Sequence, residues 1–265
     1  MAVRAVRKAG RIVAAVAATA LVAAGAAACG PEDLTGGGDG KASGSSSASV
    51  SPSESGSESG GAGGSAVKAP PAGSDALART PASVKGGVIT VGDPKAGHTV
   101  KLYEDPRCPI CKKFEDSGAQ ALVKPVAEGK VKVEYTIASF LDKNLGGSGS
   151  VNAANALRAS VDAGKFPQFH AAVFANQAAS ETEDAYTPAF LLKIAGTVDG
   201  LRGAEFDKAV QKGTYKKWVG VAMQAFTDDG MQGTPTVVID GKKAASDSLF
   251  DQDAFAKELK GSGIS

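Results

Sequence analysis

Cys108 and Cys111 are the residues of this chain best suited to chemistry. They stand in DPRCPIC, residues 105–111, with Pro109 and Ile110 between them. The 265-residue chain has 3 cysteines, and the third, Cys29, lies far upstream. A pair so spaced can be a redox disulfide, half of a metal site or a structural staple. A structural zinc site takes about four ligands. Here there is no second CxxC, and the only histidines are His98 and His170. A staple closing so small a ring constrains little of the unfolded chain and stabilises weakly. Redox chemistry is the reading these residues favour over the other two.

The flanking sequence sharpens that reading. HTVKLYED alternates like a strand, and the pattern after Cys108 is helical. Cys108 then falls at a helix N-terminus and Cys111 one turn in, on the same face. Unpaired N–H groups and the helix dipole favour an anion there, so the Cys108 thiol should acidify. Cys111 should be the more buried thiol. A second candidate is GTPT, residues 233–236, where Thr234 and Pro235 precede the apolar run VVI. Proline is tolerated at the first position of a strand, and it is the residue for which a cis bond is cheap. Glu104 and Asp105 precede the cysteines; nearby acids would raise a thiol pKa and could move protons, though strand-end and turn roles explain them equally well. His170 lies in a Phe stripe and reads as a core or groove histidine. Trp218 and Met223 read as packing.

The elements that position these residues follow from periodicity. GVITVG (87–92) and HTVKLYED read as two strands joined by a turn. The helix after Cys108 should run on to Val126, bent or interrupted at Pro125. VKVEYTIA (131–138) is a strand, and the crossover implies that it runs parallel to its predecessor. SFLDKNLGGSGS is expected to be a loop. Residues 151–228 read as all helix, with FPQFHAAVFANQ and TYKKWVGVAMQAF carrying apolar stripes. TPTVVIDGKKAA reads as a hairpin over an Asp-Gly turn. DQDAFAKELK is a final helix with Asp251 as N-cap.

The N-terminal third has a different character. Residues 1–29 combine a basic head, Arg4, Arg7, Lys8 and Arg11, with a short apolar run and small residues before Cys29. That is the pattern of an export signal, and the run is too short for a convincing membrane span. GAAACG resembles a bacterial lipoprotein signal, in which Cys29 would be lipidated and become the mature N-terminus. Ala26 departs from the leucine usual three before the cysteine, and ordinary cleavage after the alanines is the alternative. Both routes export the chain to a compartment where disulfides persist. Residues 30–84 are Gly/Ser-rich with little to bury and are expected to be a disordered tether. Roughly 50 such residues would span about 40 Å. Net charge is +1, with no basic face, which gives no support to nucleic-acid binding.

Taken together, YEDPRCPICKKFE, FPQFHAAVFANQ and MQGTPTVVIDGK resemble the DsbA-like thiol–disulfide oxidoreductases. The resemblance covers about residues 85–259. It implies an α/β thioredoxin-like fold over 85–265, a central mixed sheet with an all-helical insertion at about 150–230, between βαβ and ββα halves. It implies that Cys108 attacks, Cys111 resolves, Pro235 is cis and faces the pair, and the Thr234 peptide binds substrate backbone. No cofactor or metal is implied. The partners would be reduced or misoxidised exported polypeptides and a membrane redox protein for recycling. The chain would be a monomer held to the outer face of the membrane through Cys29. Ile110 departs from the Pro-His dipeptide of the strong oxidants, in which histidine helps hold the thiolate. A less acidic Cys108 and a less oxidising potential are therefore expected. The alternatives are a reductase or isomerase of exported proteins, and a binding module without turnover.

Overall fold

The run VKVEYTI lies inside the sheet because helices cover both faces there, burying Val131, Val133, Thr136 and Ile137. A computed structural model describes residues 66–265. The expected export signal, Cys29 and most of the expected tether lie outside the described residues. In chain order, β1 (Ala82–Lys85) and β2 (Val88–Val91) form a hairpin. Next, β3 (His98–Glu104) leads into α1 (Pro109–Glu115) and α2 (Gln120–Ala127), and β4 (Val131–Ile137) follows. The helical block comprises α3 (Leu141–Leu145), α4 (Gly149–Asp162), α5 (Phe166–Ala175), α6 (Pro188–Ala195), α7 (Ala204–Lys212) and α8 (Lys216–Asp228). The strands β5 (Thr236–Ile239) and β6 (Lys242–Lys243) precede α9 (Gln252–Gly261).

The sheet order is β1-β2-β4-β3-β5-β6. Among the described residues only β3 and β4 run parallel, with Val100 opposite Val133 and Glu104 opposite Ile137. The helices α1 and α2 make the crossover. On its other side β3 pairs antiparallel with β5, which sets Tyr103 opposite Thr236. This is the expected α/β architecture, a central mixed sheet with the helical block between its halves. Asp240 and Gly241, both at positive φ (47° and 85°), form the tight turn of the β5–β6 hairpin. The Asp251 side chain accepts from the Ala254 N–H and caps α9 as expected.

Three local expectations need correction. Ordered structure begins before residue 85: a 3-10 turn spans Ala72–Leu77 and β1 spans Ala82–Lys85. Leu77, Ala82 and Val84 pack against the core, which gives this stretch apolar surface to bury. The helix after Cys108 breaks at 116–119, not at Pro125, which sits within α2. The Ser117 hydroxyl donates to the Lys113 carbonyl at 2.6 Å, and a Cβ on Gly118 would lie 2.2 Å from the Leu249 carbonyl oxygen. The loop expected at SFLDKNLGGSGS contains α3, held by Asp142 as described below. The strands β2 and β3 follow each other in the chain as expected, and in the sheet β4 lies between them.

The core is closed by aromatic contacts between elements. Phe114 of α1 meets Phe255 of α9 edge-on at 5.5 Å, and both are fully buried. Phe169 of α5 meets Phe206 of α7 in the same way at 5.5 Å. We expect Phe255→Ala to destabilise the protein by about 3–5 kcal/mol, read as a lower urea midpoint with an unchanged slope. A loss under about 1 kcal/mol would mean that α9 does not anchor α1.

Candidate active site

Cys108 is the N-cap of α1: its extended backbone ends the turn after β3, and its Sγ accepts the Cys111 N–H at 3.4 Å. Pro109 takes the first helical position, where a missing N–H costs nothing. Cys108 is 7% exposed and Cys111 is fully buried, and both thiols are free. Phe174 of α5 and Leu141 pack against the pair. Across from them stands the loop before β5. The Cys108 thiol donates to the Thr234 carbonyl at 3.4 Å, and the Thr234–Pro235 peptide is cis. Pro109 and Ile110 are exposed beside the thiols. An open groove of about 800 Å³ runs from Thr234 and Pro235 past Gln232 and Tyr103 to Lys101 and Lys243.

This geometry separates the two thiols. Donation from the Cys111 thiol is the largest influence on Cys108. Burial opposes it, and the Thr234 hydroxyl and the N–H groups of Cys111 and Ile110 reinforce it, so the Cys108 pKa falls from an ordinary 9.0 to about 6. The Thr234 hydroxyl is buried without a partner in the dithiol form, free to donate when the thiolate forms. Burial, followed by the neighbouring Cys108 and Glu104, pushes the Cys111 thiol well above its ordinary range.

The acids before the site are buried, where strand-end and turn positions allowed exposure. Glu104 and Asp105 are both 0% exposed. The Glu104 carboxylate hydrogen-bonds His170 Nε2, and Glu115 Oε2 lies 3.8 Å from His170 Nδ1. Burial alone would lower the His170 pKa, but Glu104 and Glu115 reverse the sign and raise it. Burial and the Glu104 charge raise Glu115 against the pull of His170. The ligand atoms of these three residues lie within 4.8 Å of one another, and the hydrogen bond from His170 to Glu104 and its contact with Glu115 join them to each other. His170 stacks among Tyr135, Phe166 and Phe174, the core setting expected of it. Trp218 packs against the core and donates to the Gly86 carbonyl at 2.7 Å, and Met223 packs with Phe226 and Tyr103.

The cations near the cysteines are also not free to attend the thiolate. Arg107 is 2% exposed, and its guanidinium donates to Asp142, to the Gly146 carbonyl and to the Glu181 carbonyl, at 2.7–3.2 Å. Lys112 pairs with Asp116 at 2.8 Å, and Lys113 lies over the Phe250 ring. Asp105 accepts from the Arg107 N–H, the Ser150 hydroxyl and the Leu141 N–H. Burial outweighs those bonds and raises its pKa to about 6. Asp142 receives the N–H groups of Ser150 and Val151 at the start of α4. Gln177, just after α5, donates to the Pro106 and Cys108 carbonyls. Sequence reasoning missed Asp142, Ser150 and Gln177. The one signal for them was Gln177 closing the motif FPQFHAAVFANQ.

Titrating thiolate absorbance near 240 nm should show one group at about pH 6 in the reduced protein, absent in Cys108→Ser. A folded-state pKa below the unfolded value means that this thiolate stabilises the reduced fold above pH 9.0 and that the gain is lost as pH falls through about 6. Denaturation of the reduced protein should therefore show that loss, and Cys108→Ala should not. A pKa below about 4 would contradict the weak support read from Ile110.

The geometry can be set beside known proteins. Residues 84–258 match the family model described as Thioredoxin. No curated protein sequence matches the chain. Among solved structures, BdbD from Bacillus subtilis in its oxidised form is 24% identical, with a TM-score of 0.55 over 67% of this chain and 92% of that one. The MdbA thiol-disulfide oxidoreductase from Actinomyces oris is 21% identical, with a TM-score of 0.56 over 72% and 99%. Reduced DsbA from Mycobacterium tuberculosis is 22% identical, with a TM-score of 0.51 over 67% and 100%. These structures share the fold. With a pair of asymmetric thiols at the first turn of α1 and the family match spanning both halves of the sheet, the chain belongs to the thioredoxin family.

Proposed function

We propose that the protein is an extracytoplasmic thiol–disulfide oxidoreductase that oxidises the cysteines of exported proteins through a reversible Cys108–Cys111 disulfide. One observation carries the reading: Cys108 caps α1 with its sulfur accepting the Cys111 N–H, Cys111 lies fully buried one turn in, and the Cys108 thiol meets the Thr234 carbonyl beside the cis Thr234–Pro235 peptide. A client thiolate attacks Cys108 Sγ of the disulfide, and Cys111 leaves and takes up a proton. The client is then joined to Cys108. A second client thiolate attacks the client sulfur of that bond, and Cys108 leaves as the stabilised thiolate. Two electrons pass from client to protein, and a membrane redox partner must remove them. The groove beside Thr234 offers room for a client segment. Similar folds include proteins described as thiol-disulfide oxidoreductases, which supports the activity. The signal-like residues 1–29 support export, and Cys29 supports a lipid anchor with residues 30–65 as its tether.

Ile110 favours a second reading, reduction or isomerisation. It is 47% exposed, and its side chain brings neither charge nor donor to the thiolate. The reduction potential against glutathione separates the two. We expect a value less oxidising than about −120 mV but above about −200 mV. A value near −270 mV would make the protein a reductase.

A further inference from the structure

We propose that Gln177 is a positioning residue for the reactive thiol, its side-chain amide holding the backbone turn that presents Cys108. Residues 104–108 are buried, so their carbonyls need partners. Gln177 Nε2 donates to the Pro106 carbonyl at 2.7 Å and to the Cys108 carbonyl at 3.0 Å. Both acceptors are carbonyl oxygens, so the nitrogen must be the atom facing them, and its two hydrogens serve one each. The Cys108 carbonyl also accepts the Lys112 N–H at 3.2 Å, the first bond of α1. Gln177 thus bridges the loop before the helix to the first helical hydrogen bond. It fixes the angle at which the N-terminus of α1 addresses the sulfur.

The same contact has an electrostatic side. Cys111 from α1 and Thr234 from the loop before β5 face the sulfur directly. Glu104 on β3, Glu115 on α1 and His170 on α5 form the charged cluster behind Cys111. The Gln177 amide hydrogen-bonds none of these groups. It acts by placing two N–H dipoles on carbonyl oxygens next to the thiol, withdrawing negative potential from the place where the thiolate forms. A shorter side chain would not reach from the end of α5, and a carboxylate would reverse the sign.

This inference rests on the thiol-exchange reading, and its test is independent of client or direction. The Cys108 titration near 240 nm is followed in reduced full-length wild type, Gln177→Met and Gln177→Glu, with thermal midpoints measured alongside. Met keeps the length and removes both donors; Glu keeps the shape and adds charge. We expect the Cys108 pKa to rise by roughly 0.5–1 unit in Met and further in Glu. The alkylation rate near pH 6 should fall in the same order. Lowered midpoints with an unmoved pKa in both variants would overturn the inference and leave Gln177 a packing residue. A variant that fails to fold leaves the other to decide by the same readout. If wild type itself shows no acidified thiol, the exchange reading falls and the inference falls with it. A normal wild-type titration with unmoved variants removes Gln177 alone.

Discussion

The structure depends on one demand: the chain between β3 and α1 is buried from Glu104 to Cys108, and the charged and polar groups in it need partners. Two acids, a guanidinium and a thiol enter the interior within five residues. A buried charge left unpaired costs several kcal/mol, so partners must come from elsewhere. The helical block supplies them. His170 and Gln177 come from α5 and the residues after it, Asp142 from α3, Ser150 from α4 and the Glu181 carbonyl from the loop before α6. The block is therefore tied to the catalytic turn by polar bonds as well as by its apolar stripes.

That demand also explains the division between the cysteines. The first turn of a helix offers N–H groups that have no partner within the helix. Cys108 at the cap receives one of them, along with the Cys111 thiol as a donor. One turn in, Cys111 is fully buried, donates to Cys108 and faces the charge of Glu104, so burial dominates its acidity. Identical side chains three residues apart thus differ in acidity because one caps the helix and the other enters the core. The cations next to them in sequence contribute little, since Arg107 is committed to structural carbonyls and Asp142.

The chemistry was legible because it is local. The CxxC pair, the strand before it, the helix after it and the Thr-Pro before β5 each carry a short-range signature, and the stripes of α5 and α8 follow helical period. What escaped is long-range. Arg107 reads as a surface cation until Asp142 and Glu181 are brought to it across 35 and 74 residues. Gln177 has no periodicity to mark it. The strand β1 is four residues of modest propensity and exists because β2 offers it an edge. The break after α1 was assigned to Pro125 on local grounds, but the close approach of Leu249 to Gly118 places it earlier. Propensity marked a bend in that segment, and tertiary packing chose its position.

The central claim is that the cap position in α1, with the donors gathered around it, makes Cys108 the reactive thiol, while burial keeps Cys111 inert until the disulfide is attacked. Brief alkylation of the reduced protein near pH 7, with the adduct located by mass spectrometry, tests it directly. The account predicts a single adduct on Cys108 while Cys111 stays unlabelled. Equal labelling of both cysteines, or labelling of Cys111 first, would contradict it.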